Sequence, residues 1–252
     1  MHPQGHRVQP FTAKLLQAWI DAARKRGLRD IAFTDHDRYH AGVNFDEIDK
    51  LRDRNPDIKI RAGLELDNDP ETSEQGRKWV EQHWDKLDFV LGSVHYLERP
   101  DQMFDSVPEG AQQFEGRDID RVYLDYFRRV REIAATGLVD CLAHIDLVKI
   151  HGHRPNAKVE LLIGETLDFV AKRGLCIELS TAGWRKPVKE LYPSDPIIHL
   201  AIEKGVHFTT ASDAHSPAQL GENFDRLADT MTRLGINQVA TFERHSAKIC
   251  PL

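Results

Sequence analysis

One cadence recurs along this chain and limits what it can fold into: an amphipathic stretch, a basic residue or Thr, a Gly, then a short apolar run. Lys25-Arg26-Gly27-Leu28 precedes Ile31-Ala32-Phe33, and Ala135-Thr136-Gly137-Leu138 precedes Val139 to Ala143. Lys172-Arg173-Gly174-Leu175 precedes Cys176 to Leu179, and Glu203-Lys204-Gly205-Val206 precedes His207 to Thr210. Leu234-Gly235-Ile236 precedes Val239 to Phe242. A glycine just past a helix, with cations in the last turn, is a physical stop signal. An unbroken apolar run after it reads as a strand buried on both faces, hence parallel, rather than an alternating half-exposed one. The stretches before the glycines carry helical stripes: Leu15, Leu16, Trp19, Ala22 and Ala23; Val122, Tyr126, Val130 and Ile133; Leu162, Thr166, Phe169 and Val170. Two more strands are expected at Ile58 to Leu66 and Phe89 to Val94. Strands alternating with helices imply right-handed βαβ units and a parallel sheet, and this many repeats close most naturally into a barrel.

No Pro/Ser-rich linker or shift in composition divides the 252 residues, so residues 1–252 read as one domain. Residues 97–118 form the longest connection without a periodic pattern, the kind of loop that carries function or moves. A hydrophobic content of 40% with 29% charged residues fits a soluble globular protein. No apolar run approaches the roughly 18–20 residues of a membrane span. The opening Met1-His2-Pro3-Gln4-Gly5-His6 lacks the features of a secretory signal. Cys141, Cys176 and Cys250 lack metal-type spacing, which points to a reducing, cytoplasmic location without a disulfide framework. A net charge of −6 argues against an extended nucleic-acid surface while leaving room for a local anion pocket.

Thirteen histidines are present, and their placement says more than their number. His36, His95, His144 and His215 each lie where an apolar strand run ends, and Asp35, Glu65, Asp146 and Asp213 share those ends. In a parallel barrel the C-terminal strand ends converge on one face, so these imidazoles and carboxylates are expected to meet in one mouth. Such donors suit Zn, Mn or Fe, and their number exceeds the needs of one tetrahedral ion, so two or three divalent ions are expected. Clustered metals lower the pKa of water from 15.7 toward about 7 and clamp both oxygens of a displacement at phosphorus. Taken singly, a strand-end His is more often structural, and Asp35, Asp37 or Asp213 alone is a candidate helix cap; the coincidence of several is what carries weight. His40, His83, His199, His207 and His245 lie elsewhere and read as structural, and Trp79 and Trp84 read as core.

Thr34-Asp35-His36, Gly63-Leu64-Glu65, Gly92-Ser93-Val94-His95-Tyr96, Ala143-His144-Ile145-Asp146 and Ser212-Asp213-Ala214-His215 occur in one order. As an ordered set they resemble the PHP (polymerase and histidinol phosphatase) superfamily. Gly92 to Tyr96, His153-Arg154 and Thr181-Ala182-Gly183-Trp184-Arg185-Lys186-Pro187 resemble its histidinol-phosphate phosphatase branch. The resemblance runs from His2 to about residue 230. It implies an α/β fold, a distorted (β/α)7 barrel with a trinuclear metal site, and hydrolysis of L-histidinol phosphate, late in histidine biosynthesis. Carried onto this chain, it implies a first metal on His2, Glu65 and Asp213. A second would share Glu65 and be completed by His95 and His144, and a third would lie on His6, His36 and His215. One departure stands out. The superfamily opens with a strand ending in His-x-His, and here Met1 falls on the x. The expectation is therefore a barrel without its first strand as the chain is written, through a mis-assigned start or truncation, with a weakened first metal site.

A phosphate monoester needs cations beyond the metals, and Arg154 and Arg185 are candidates to grip phosphate oxygens, with Lys186 and Lys189 behind them. Asp213 or His215 is expected to relay a proton in addition to holding metal. Two other readings are weighed. A PHP-type phosphodiesterase or nucleotide phosphatase would act on short nucleic acid, although no aromatic–basic stripe for stacking bases is visible. A non-catalytic metal- or partner-binding domain would hold ions without turnover.

Overall fold

The five glycines of the recurring cadence, Gly27, Gly137, Gly174, Gly205 and Gly235, all have φ between 67° and 77°. This left-handed backbone is open to glycine at little cost, and it lets the chain leave a helix and enter the next strand at once. At Gly174 the backbone N–H donates back to the carbonyls of Ala171 and Val170, closing the last turn of the helix before it. The computed structural model describes residues 1–98 and 102–252.

Helix α1 (Ala13–Lys25) is capped by Thr12, whose hydroxyl accepts from the Leu15 N–H, and leads to β1 (Asp30–Phe33). Helix α2 (Phe45–Arg54), capped by Asn44, leads to β2 (Lys59–Leu66). Helix α3 (Ser73–His83) precedes β3 (Phe89–Gly92), and α4 (Ile119–Ala135) precedes β4 (Cys141–Leu142). Helix α5 (Val159–Arg173) precedes β5 (Cys176–Ser180), and α6 (Asp195–Glu203) precedes β6 (Phe208–Ala211). Helix α7 (Phe224–Arg233) ends at the last cadence glycine. Strands β1 to β6 are parallel and pair in sequence order. Every residue of β3 and of β5 is buried, Glu178 and Ser180 of β5 included, as in a parallel sheet covered on both faces. Helices α4, α5 and α6 cover the sheet with Tyr126, Phe127, Leu167 and Ile197, all at most 0% exposed. Each such side chain contributes about 1.5–3 kcal/mol by leaving water.

The six parallel strands curl into an open half-barrel, and no ladder joins β1 to β6. A cavity of about 270 Å³ separates those two edges, with Met1, Ala32, Glu178 and Ala211 in its walls. At its upper end the Met1 ammonium donates to the Ala32 carbonyl and the Thr34 hydroxyl. The Thr34 N–H donates to the Met1 carbonyl, and the His2 N–H to that of Ala214, both at 2.8 Å. Residues 1–2 therefore tie the end of β1 to the loop after β6.

One strand departs from the expected order. Residues 239–242 read as a further parallel strand, but they lie in β7 (Gln238–Glu243), which pairs antiparallel with β8 (Ser246–Pro251). The physical reason is the turn: Arg244 and His245 both have positive φ, at 47° and 60°, the geometry of a two-residue hairpin. Ala240 and Phe242 of this hairpin pack on Phe89, Cys141 and Cys176, the first residues of β3, β4 and β5. The hairpin thus plugs the N-terminal end of the half-barrel and leaves the other end free for the site. The loop read at residues 97–118 contains a 3-10 turn, Glu109–Phe114, and buries Phe104 and Phe114; its residues 99–101 lie outside the described residues. Among the described residues no helix is long and apolar enough to cross a membrane.

Candidate metal centre

The C-terminal ends of the parallel strands bring histidines and carboxylates from the whole chain together. Glu65, in β2 and buried at 2% exposure, stands at the middle. Its Oε2 is 3.3 Å from His2 Nε2, and its Oε1 is 3.3 Å from His144 Nε2. The same Oε1 lies 3.8 Å from His95 Nε2 and 3.9 Å from His36 Nδ1. His2 Nε2 also lies 3.1 Å from Asp213 Oδ1. The rings crowd one another: His2 stacks on His36 and on His215 with centroids 4.7 and 4.2 Å apart, and His6 stacks on His215 at 4.5 Å.

Among the described residues, three overlapping groups hold donor atoms within 4.8 Å of one another: His2, His36 and His215; His36, Asp67 and His95; and Glu65, His95 and His144. The buried atoms His2 Nδ1, His36 Nδ1, Glu65 Oε1 and His144 Nδ1 have no hydrogen-bond partner among the described residues. A native interior seldom leaves several buried polar atoms unmet in one place, and together they form a borderline-soft N/O donor set that fits divalent transition metals. His144 and Asp213 hold φ at 25° and 45°, a left-handed backbone costly for a residue with a Cβ, and such strain gathers at functional sites.

Electrostatics separates the members. Burial alone would raise the Glu65 carboxyl, but His36, His144 and His2 around it hold it well below the usual range. Asp213 is depressed likewise, against its burial, by the hydrogen bond from His2 and by His215. Burial would lower His95, yet the Asp67 carboxylate 3.0 Å from its Nδ1 raises it to about 10. Burial and neighbouring His2 lower His215 to about 4, so its ring is neutral at pH 7.

The histidines expected at strand ends, with His2, His6, Glu65 and Asp213, all reach this one mouth. His6 contributes by stacking on His215 and lies outside the three donor groups. The strand-end acids Asp35 and Asp146 act as braces. Asp35 accepts from the Gln4 N–H at 2.9 Å and so fastens the loop that carries His2 and His6; burial pushes it up to about 7. Asp146 accepts from the Ser194 N–H and pairs with buried Lys149 at 2.8 Å.

The two arginines stand apart from the cavity above the histidines, a space of about 100 Å³. Arg154 is 43% exposed and paired with Glu190. Arg185 donates to the carbonyls of Ser212 and Asp213 at 2.7 and 3.1 Å, which makes it a support for the Asp213 turn. Among the described residues, the cations lining the cavity are Arg38 and Lys186. Arg38 is held by Asp67 at 2.6 Å and its buried Nε has no partner. Sequence reasoning passed over Arg38, Asp67 and Asp105. Arg38 follows the Thr34-Asp35-His36 motif by two residues, and Asp67 follows Glu65 by two, the spacing that returns a strand to the same face.

The PHP domain family matches residues 12–182 of this chain. A Deinococcus radiodurans protein named "probable histidinol-phosphatase" is 36% identical over 225 residues, covering 82% of each chain. The Bacillus subtilis histidinol-phosphatase is 24% identical, covering 88% of this chain and 96% of its own. The crystal structure of the Lactococcus lactis histidinol phosphate phosphatase, complexed with Zn, L-histidinol and phosphate, superposes with a TM-score of 0.71 at 21% identity, covering 92% of each chain. With its parallel half-barrel and its strand-end histidines, this chain belongs to the PHP domain family.

Proposed function

We propose that this chain is a metal-dependent phosphatase that hydrolyses L-histidinol phosphate to L-histidinol and phosphate. The observation that carries the reading is the convergence of buried, unpartnered imidazole and carboxylate atoms around Glu65, beside a cavity with two cationic walls. It agrees with the names of relatives that match most of the chain. His2, Glu65, Asp213, His95 and His144 would hold two or three divalent ions, Zn, Mn or Fe, with His36 and His215 completing the set and His6 flanking it. When bound, they supply Lewis acidity at phosphorus and a water activated at neutral pH.

The remaining roles fall to the chain itself. Arg38 and Lys186 attract the phosphate dianion into the cavity, and Arg38, its fork already braced by Asp67, presents a fixed face. Arg185 supports the Asp213 backbone, and Arg154 with Glu190 forms an outer ion pair that an arriving anion can open. His215, neutral at pH 7, offers a nitrogen to a metal or to a proton, and Asp213 offers a carboxylate beside it. The three cysteines are free, which suits a reducing, cytoplasmic setting for such a biosynthetic role.

Elemental analysis paired with a phosphatase assay tests this. Bound divalent metal and faster release of phosphate from L-histidinol phosphate than from a dinucleotide are expected. Preference for the dinucleotide would replace the reading with a nucleic-acid phosphatase, and metal without turnover would replace it with a binding domain.

A further inference from the structure

The phosphatase reading accounts for the histidines and for Arg38 and Lys186, but two polar atoms in the same cavity have no task in it. Asp105 Oδ1 and the Tyr192 hydroxyl both belong to residues lining the cavity, and both atoms are buried without a hydrogen-bond partner among the described residues. Tyr192 is 0% exposed, anchored by the bridge of its backbone to Ser180 at the end of β5. Asp105 follows Phe104, which is buried and whose N–H donates to the His95 carbonyl at 3.0 Å. The backbone just before Asp105 is thereby held to the segment after β3 that carries His95, a candidate ligand. Asp105 is not a member of any of the three donor groups. A desolvated carboxylate oxygen without a donor is costly unless something cationic arrives to meet it.

The geometry points to Asp105 as the residue that reads the positive charge of the substrate, accepting from its primary ammonium group. This deepens the phosphatase reading and rests on it. L-Histidinol phosphate carries that ammonium on the carbon next to the phosphorylated methylene, so a substrate whose phosphate lies at the histidines places its cation within the same small cavity. The Tyr192 hydroxyl offers a second polar contact from the lining of the same cavity. An anionic acceptor of this kind distinguishes the amino-alcohol ester from neutral-tailed phosphate monoesters, because a carboxylate left unpaired opposes their binding.

The test compares the unaltered enzyme with Asp105→Asn on L-histidinol phosphate and on p-nitrophenyl phosphate, which has no ammonium. A charge-assisted hydrogen bond corresponds to a rise in KM for L-histidinol phosphate of about tenfold or more, with a matching loss of calorimetric affinity for L-histidinol. Turnover of p-nitrophenyl phosphate and metal content are expected to stay unchanged. Equal losses on both substrates with metal retained would overturn the assignment and make Asp105 a positioning residue for His95. If the variant does not fold, the deaminated analogue of L-histidinol phosphate on the unaltered enzyme decides, since an unchanged KM there overturns the assignment as well. An unaltered enzyme that favours p-nitrophenyl phosphate would instead bring down L-histidinol phosphate as the substrate, the reading on which this rests.

Discussion

At the scale of single residues, Glu65 is the hinge of the site, because four imidazoles point nitrogens at its two oxygens. Glu65→Ala should lose bound metal and activity together, and His144→Ala should do the same; metal retained at the unaltered ratio in either variant would contradict the assignment. Asp67 sits behind His95 and in front of Arg38, bonded to both. Carboxylates that orient a ligating histidine typically contribute 10–100-fold, so Asp67→Asn should lower metal affinity or kcat by about that factor. A titration of apo-protein with Zn measures it. Asp67 was legible only in part. Its spacing from Glu65 is a readable signal, but Asp69, Asp35 and Asp146 have similar sequence surroundings and serve as braces to Tyr96, Gln4 and Lys149. Sequence shows which acids can reach the mouth; which oxygen meets a backbone N–H and which meets an imidazole is decided by angles that only the folded chain displays. Arg154 and Arg185 illustrate the same limit, since both follow strand-end motifs yet neither lines the cavity.

At the scale of elements, helix stops were legible because glycine and its φ are local properties. All five cadence glycines end a helix-to-strand connection in the left-handed region. The β7–β8 hairpin is not legible in the sequence, because an apolar run looks the same whether its partner is parallel or antiparallel, and Arg244-His245 lacks the Asn-Gly signature of a tight turn. The hairpin is fastened by His245, whose Nδ1 faces Asp140 Oδ2 at 2.7 Å and whose Nε2 faces the Trp84 carbonyl at 3.0 Å. Two acceptors on one ring require both nitrogens protonated. Burial would lower this histidine, but the bonds to Asp140 and Trp84 raise it above its ordinary value. A raised folded pKa means that the contribution is fully present below about pH 6.5 and is lost as pH rises through the folded value. The stability difference between the unaltered protein and His245→Ala, measured in urea, should therefore shrink on going from acid to alkaline pH. Because the ring is partly solvated, the pH-dependent part is expected to be about 1 kcal/mol or less. A difference that grows with pH would contradict the doubly bonded ring. Phe242→Ala should cost about 3–5 kcal/mol in the same experiment while leaving metal content intact, since the hairpin plugs the end away from the site.

For the whole molecule, the alternation of helices and parallel strands puts the histidines on one rim, because the C-terminal ends of parallel strands can only face one way. The same architecture makes the site a stability problem. Glu65 and His2, His36, His95 and His144 are all buried together at the strand ends. Metal bound to the folded state alone offsets that, by about 2.7 kcal/mol at a hundredfold excess over Kd. A chelator should consequently lower Tm by about 5–10 °C, given about 2–4 °C per kcal/mol for a chain of this size. An unchanged Tm would mean that the folded protein holds no tightly bound ion. The measurement that bears most directly on the central claim is anomalous diffraction from crystals at the absorption edge of the bound metal. Peaks are expected within bonding distance of Glu65, with His95 and His144 on one side and His2 and Asp213 on the other. Peaks elsewhere on the surface, with the atoms around Glu65 bonded only to one another, would contradict it.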